Sequence, residues 1–217
     1  PRLRWIKSDL QNKKFLILFF LISILMSAII VKNSNVAFLM NTILIGSSFY
    51  LFLITSKDFL SKNFNNLAQN LAHFSFSLLI LSILLNNIFS TEIITNLKVG
   101  ETYETERFKI NFQNLNQKKE KNFQAIIGQF KIEDDKGSTD ILNPELRIYN
   151  QPNIVTSEAD IKTNLFSDKF MTMNLVQNKE YFNIRYQNKP FMIWIWFSVL
   201  LMSSAGLLSF FKKKNEN

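Results

Sequence analysis

The chain has 217 residues, 47% of them apolar, with 25 basic and 17 acidic side chains and a net charge of +8. It has no cysteine, which excludes disulfides, thiolate metal sites and thiol catalysis, and its five glycines form no phosphate-binding loop. The positive balance does not mark a nucleic-acid surface. Residues 91–189 carry equal numbers of acids and bases, and the excess lies at Arg2, Arg4, Lys7, Lys13, Lys14, Lys57, Lys62 and Lys212 to Lys214, beside apolar segments. That clustering is the footprint of the positive-inside rule.

The chain opens at Pro1 with a cationic flank and no cleavable signal sequence, and so reads as the carboxy-terminal portion of a longer protein. Four segments are long and apolar enough to span a bilayer: 15–31, 36–54, 71–89 and 191–211. The second is interrupted by Asn41, Thr42, Gly46, Ser47 and Ser48, and a tight polar turn at 32–35 joins it to the first. Segment 55–70 is amphipathic, with Phe59, Leu60, Phe64 and Leu67 among Lys57, Lys62 and asparagines. It is expected to lie in the inner interface or to extend the third helix downward. The lysine and arginine bias places both termini and segment 55–70 in the cytoplasm and residues 90–190 outside. In the last span Trp194 and Trp196 match an interfacial aromatic belt, and Ser203, Ser204, Ala205 and Gly206 form a small-residue patch suited to close helix packing.

Between the third and fourth spans the pattern changes to β. Phe108, Ile110 and Phe112 alternate with Lys109, Asn111 and Gln113, the period of a half-buried strand. Stretches 126–132, 145–149, 170–176 and 181–186 repeat it, separated by the turn residues Asp134 to Gly137, Asn143-Pro144, Gln151 to Asn153 and Gln177-Asn178. Six to eight short strands are expected, in a small sandwich or partly open barrel, with 114–121 as a mobile loop. Met171 and Met173 are expected in the core rather than as ligands. Asp134 and Asp135 lack calcium-loop spacing and read as a solvated hairpin tip. Glu145, Arg147 and Tyr149 share one strand face and read as a solvent-facing surface. This domain has neither histidine nor cysteine, so it offers no nucleophile pair. The organisation is therefore 1–89, three transmembrane helices with a cytoplasmic flank; 90–190, a periplasmic all-β domain; and 191–217, a final transmembrane helix with a basic tail.

The one histidine, His73, lies just inside the third span, LAHFSFSLLILSILLNNIF. Ionisable groups in hydrocarbon are costly and mark function by default, and imidazole is the commonest metal ligand, haem iron included. Asn66, Asn70, His73 and Ser77 recur at helical spacing and make a polar stripe expected to face a protein interior. The competing reading is an interhelical hydrogen bond with no cofactor.

Several stretches, in order, resemble the carboxy-terminal third of the CcmF family, the haem lyase subunits of System I cytochrome c maturation, and their relatives in nitrite reductase maturation. Pro1-Arg2-Leu3-Arg4-Trp5 is similar to the family's cationic Pro-x-Leu-Arg-Trp, and Leu71-Ala72-His73 to its Leu-Ala-His at a helix start. Pro144-Glu145-Leu146-Arg147-Ile148-Tyr149 resembles its Pro-Glu-x-Arg-x-Tyr, followed by an acid-Ala pair at Glu158-Ala159. Residues 186–196, YQNKPFMIWIW, resemble the run before its last helix. Two positions depart: Ser75 stands where a glycine is usual, and Ala205-Gly206 where a Gly-Gly pair is usual.

The resemblance implies a bacterial inner-membrane protein that attaches haem to apocytochrome c through the CXXCH thiols. It implies a transmembrane haem b held by two histidines from different helices, with His73 one axial ligand of the iron. The second ligand, and a Trp-rich periplasmic segment that handles haem, are expected from a portion outside this chain, which holds no catalytic residue of its own. Expected partners are haem, a haem chaperone, apocytochrome c, other cytochrome c maturation subunits and membrane lipid. Two readings of another class compete: a membrane permease with a periplasmic β lid, and an assembly scaffold.

Overall fold

The computed structural model describes residues 10–34, 36–60, 67–135, 137–176 and 180–215. They form four long helices and ten strands, in two compact units: the helices, and Ser90–Lys189.

The helices are α1 (Leu10–Lys32), α2 (Phe38–Leu60), α3 (Leu67–Phe89) and α4 (Met192–Asn215). Each contains a stretch long and apolar enough to cross a membrane. A 23-residue helix such as α3 rises about 35 Å, enough for a hydrocarbon core of about 30 Å. Chain neighbours pack side by side, α1 on α2, α2 on α3 and α3 on α4.

Polar residues inside these spans do not break them, because their side chains bond back to their own helix. Ser23 Oγ donates to the Phe19 carbonyl, Thr42 Oγ1 to Phe38, and Thr55 Oγ1 to Leu51. Segment 55–70 is divided between two helices, and α3 starts four residues before the expected 71, in line with the reading that the third helix extends downward. Helix α2 continues through Thr55 to Leu60, where Ser56 Oγ donates to the Phe52 carbonyl, and α3 has begun by Leu67. Of the apolar residues of that segment, Phe59 packs between helices, stacking on Phe74 with ring centroids 5.0 Å apart, whereas Leu60 and Leu67 are exposed. Lys62, Phe64 and Asn66 lie outside the described residues.

The small-residue packing site is also not where the sequence suggested. Ser203 and Ser204 are exposed and bond to their own helix, a Cβ on Gly206 would meet nothing within 4 Å, and only Ala205 of that patch is buried. Gly46 in α2 is the close-contact glycine: a Cβ there would come 2.9 Å from Ile24 Cδ1 and 3.0 Å from Ser27 Oγ of α1.

The second unit is a β-sandwich of two separate sheets, not a barrel. One sheet has the order β1 (Thr91–Leu97), β10 (Phe182–Pro190), β9 (Ser167–Leu175), β8 (Asp160–Thr163). The other runs β2 (Thr102–Glu104), β3 (Phe108–Lys119), β4 (Phe123–Asp134), β6 (Glu145–Tyr149), β7 (Val155–Glu158), with β5 (Thr139–Leu142) also on β4. Ten strands replace the six to eight expected. Alternation supplies the core: Ile110 and Phe112 from β3, Phe130 and Ile132 from β4, Met171 and Met173 from β9, and Ile184 and Tyr186 from β10 are all fully buried. Phe112 stacks on Phe130 at 4.2 Å. The expected loop at 114–121 is instead the far half of the β3–β4 hairpin. After a bulge between Phe112 and Asn114, pairing continues from Asn114↔Gln129 to Lys119↔Gln124. Leu115 and Ile126 of this half still pack against the core, while the polar side chains from Asn116 to Lys119 are mostly exposed and backbone pairing holds them.

Candidate functional site

His73 is the seventh residue of α3, about 9 Å along the axis from its start. It is exposed, as are Gln69, Phe76, Ile83 and Asn87, with Ile80 half-buried among them. The spacing 69, 73, 76, 80, 83, 87 is an alternation of four and three, the seam through which one helix meets another. The opposite side is sealed: Leu71, Ser75, Leu78, Leu81, Ser82 and Leu85 are buried.

The expected polar stripe therefore divides. Asn70 Nδ2 donates to the Asp58 carbonyl of α2 at 3.0 Å, and Ser77 is buried with its Oγ 2.6 Å from Thr55 Oγ1. Asn66 is outside the described residues. His73 does not face that interior. Four residues turn a helix by about 400°, so Ser77 sits about 40° further round, already under α2, while His73 lies at the border of the open sector. Among the described residues the imidazole has no hydrogen-bond partner. Ser75 fits its place: fully buried, it is small, and its Oγ donates to the Leu71 carbonyl at 2.8 Å.

An unforeseen contact joins α3 to the start of α4: Asn86 Nδ2 donates to the Pro190 carbonyl at 2.5 Å. Phe191 follows with φ 62°, a left-handed turn that swings the chain out of β10, and its carbonyl receives the Trp194 and Ile195 N–H groups.

In the sandwich the strongest electrostatic feature is also one the sequence did not reveal. Asp140 of β5 accepts from Lys162 of β8 and Lys169 of β9, so one carboxylate ties the two sheets together. Burial raises the Asp140 pKa, but the hydrogen bonds from Lys162 and Lys169 outweigh it and hold the group below its usual value. The nearby Tyr186 hydroxyl is pushed well up, by burial first and then by the charges of Asp140 and Asp134.

The Pro144 to Tyr149 motif forms β6. Arg147 Nε donates to Glu145 Oε2 at 3.0 Å and its guanidinium lies over the Phe123 ring at 5.1 Å. The Glu145 hydrogen bond raises the Arg147 pKa. Asp134 Oδ1 accepts the Ser138 N–H, an ordinary hairpin-tip contact. Among the described residues no group of three or more His, Asp or Glu side chains is placed to hold a metal ion.

Four apolar helices with a β-sandwich and one outward-facing imidazole define a class, a helical membrane protein with a sandwich domain. Comparison with known proteins narrows it. The CcmF C-terminal beta-sandwich family matches residues 88–190. The chain is 25% identical over 141 residues to the cytochrome c-type biogenesis protein CcmF of Pseudomonas aeruginosa, covering 65% of this chain and 22% of that one. It is 27% identical over 144 residues to CcmF of Haemophilus influenzae (66% and 22%). To the cytochrome c-type biogenesis protein ccl1 of Rhodobacter capsulatus it is 30% identical over 112 residues (52% and 17%). A solved structure, "Cytochrome c Heme Lyase CcmF", shares the fold with TM-score 0.65 and 19% identity, over 94% of this chain and 35% of that one. Residues 88–190 thus match the CcmF C-terminal beta-sandwich family, and the chain is similar to a carboxy-terminal portion of CcmF, spanning about a fifth of the length of those curated relatives.

Proposed function

We propose that this chain is the part of a cytochrome c haem lyase that gives one axial ligand, His73, to a transmembrane haem b, and that its sandwich is a periplasmic docking surface. The observation that carries the reading is the placement of His73. It is the only histidine of the chain, it lies in an apolar helix, and it sits on an open seam with no hydrogen-bond partner among the described residues. The residues fit half of a bis-histidine site. A neutral imidazole ligates iron readily, and Phe76 and Ile80 on the same seam suit the flat apolar edge of a porphyrin. The second ligand comes from another helix, since this chain has no second histidine.

When bound, haem b supplies one-electron transfer, which keeps iron reduced for thioether formation. The residues of this chain position it. The buried face of α3, pinned by Ser77 to Thr55 and by Asn86 to Pro190, fixes the rotation of the helix and so aims the imidazole. Small, self-bonded Ser75 lets α3 pack closely without leaving a polar group bare. In this reading both termini are cytoplasmic in a bacterial inner membrane, His73 lies in the inner half of the bilayer, and the sandwich meets a haem chaperone or apocytochrome c.

The experiment is the pyridine haemochrome of the full-length protein, wild type against His73→Ala, at equal protein. His73→Ala strips or destabilises the b haem, whereas Ser75→Ala and Ser77→Ala retain it. Unchanged haem content in His73→Ala ends the ligand assignment.

A further inference from the structure

Loops at the ends of sandwiches are ordinarily polar, and the β8–β9 hairpin departs from that rule. Its loop is Asn164-Leu165-Phe166. Leu165 and Phe166 are 63% and 72% exposed, the two most exposed large apolar side chains among the described residues of the sandwich. The loop is held in shape: Asn164 Oδ1 accepts the Phe166 N–H at 2.9 Å and the Ser167 N–H at 2.8 Å, and the Asn164 N–H donates to the Ser167 carbonyl. Ordered display of two large apolar groups on a loop marks a surface they are meant to enter.

Strand register says which end of the sandwich carries this tip. β8 and β9 pair from Asp160↔Met171 to Thr163↔Asp168, so the tip projects past the Ser167 end of β9. β9 and β10 are neighbours of nine residues each, and just beyond their ends the Val176 N–H donates to the Tyr181 carbonyl, which sets the two strands in register. Ser167 therefore lies beside Pro190. β1 pairs Thr91 with Asn188 at the same end. Thr91 is one residue, Ser90, beyond the end of α3, and Pro190 is one residue, Phe191, before the start of α4. The tip thus shares the end of the sandwich that is tethered to two apolar helices, within about 10 Å laterally of the tether at two strand spacings.

We propose that Leu165 and Phe166 dip into the interfacial layer of the phospholipid bilayer, making the β8–β9 hairpin a third attachment of the sandwich to the membrane. This rests on α3 and α4 spanning that membrane. Leucine and phenylalanine are the side chains that membrane-surface segments use, and the tether brings lipid to this end without recruiting another molecule.

The native chain has no cysteine, so single probes report cleanly. The full chain with Leu165→Cys carries an environment-sensitive fluorophore in phosphatidylcholine nanodiscs, with and without doxyl-labelled lipid. Leu175→Cys, at the opposite end of β9, and Leu200→Cys, in α4, are the references. The expected result is blue-shifted emission and quenching at 165 and 200, none at 175, and loss of the quenching at 165 when Phe166→Asp is added. Phe166→Cys repeats the measurement should Leu165→Cys not fold. Quenching at 200 without quenching at 165 overturns the proposal and leaves the spans standing. No quenching at 200 overturns the spans and the proposal together. A probe at 165 shielded only on addition of a protein partner overturns lipid as the occupant.

Discussion

Asp140→Asn tests whether one carboxylate holds the two sheets together. The Lys169 side chain is 9% exposed and that of Asp140 12%, whereas Lys162 is 53% exposed. Removing the charge of Asp140 leaves Lys169 a nearly buried, uncompensated cation. Breaking a buried ion pair costs about 3–5 kcal/mol, and an exposed one about 0–1 kcal/mol. Since Asp140 lies near the surface and keeps water in reach, a loss of about 2–3 kcal/mol is expected, or roughly 30–150-fold in opening equilibrium. Hydrogen exchange of β4, β9 and β10 peptides, with the chain in nanodiscs at neutral pH, reads that factor directly. The pH dependence has a fixed sign. The folded-state pKa of Asp140 lies below the ordinary 3.8, so its contribution is present above that value and is lost as pH falls through the folded value. Wild type and variant therefore differ fully at neutral and mildly acid pH and converge only in strong acid. Adding Lys169→Met to Asp140→Asn recovers most of the protection, because the orphaned cation is gone. Unchanged exchange in the single variant refutes the clasp.

The topology reading predicts that a cysteine at Ser138 labels from the periplasmic side and one at Lys62 does not; periplasmic labelling at Lys62 reverses the arrangement. Gly46→Leu drives a side chain into Ile24 and Ser27, so it should lower the thermal stability of the purified chain by about 1–3 kcal/mol, whereas Gly206→Leu, which meets nothing, should leave it unchanged or slightly raised. Equal effects of the two would discard the α1–α2 contact.

The spans were legible because an apolar run of that length has one solution, a helix that satisfies its own backbone. Their ends were not. Thr55, Ser56 and Asp58 look like loop residues in sequence, but Thr55 and Ser56 spend their hydroxyls on carbonyls one turn back. Among the strands, β3, β4, β6, β9 and β10 show alternation or a buried core in the sequence. β2, β5, β7 and β8 are three or four residues long, too short to show a period, and exist because a neighbouring strand offers hydrogen bonds. The Asp140 clasp was invisible for a related reason. Its partners lie 22 and 29 residues away, and only the sheet pairing brings them to one carboxylate.

The identity of His73 as the residue to watch follows from its isolation in an apolar span, but its direction does not. A polar stripe at helical spacing says which residues share a side, and leaves open which of them another helix covers. Here α2 packs on the side of α3 that carries Asn70 and Ser77 and leaves His73 exposed. That departure from the interior-facing expectation bears on the ligand reading. An imidazole sealed beneath α2 like Ser77 could reach only helices of this chain, none of which carries a second histidine. A two-histidine site needs His73 at an edge where a helix from elsewhere can approach within the width of a porphyrin. The seam from Gln69 to Asn87 is such an edge, so exposure that would weaken a self-contained site is what a shared one requires.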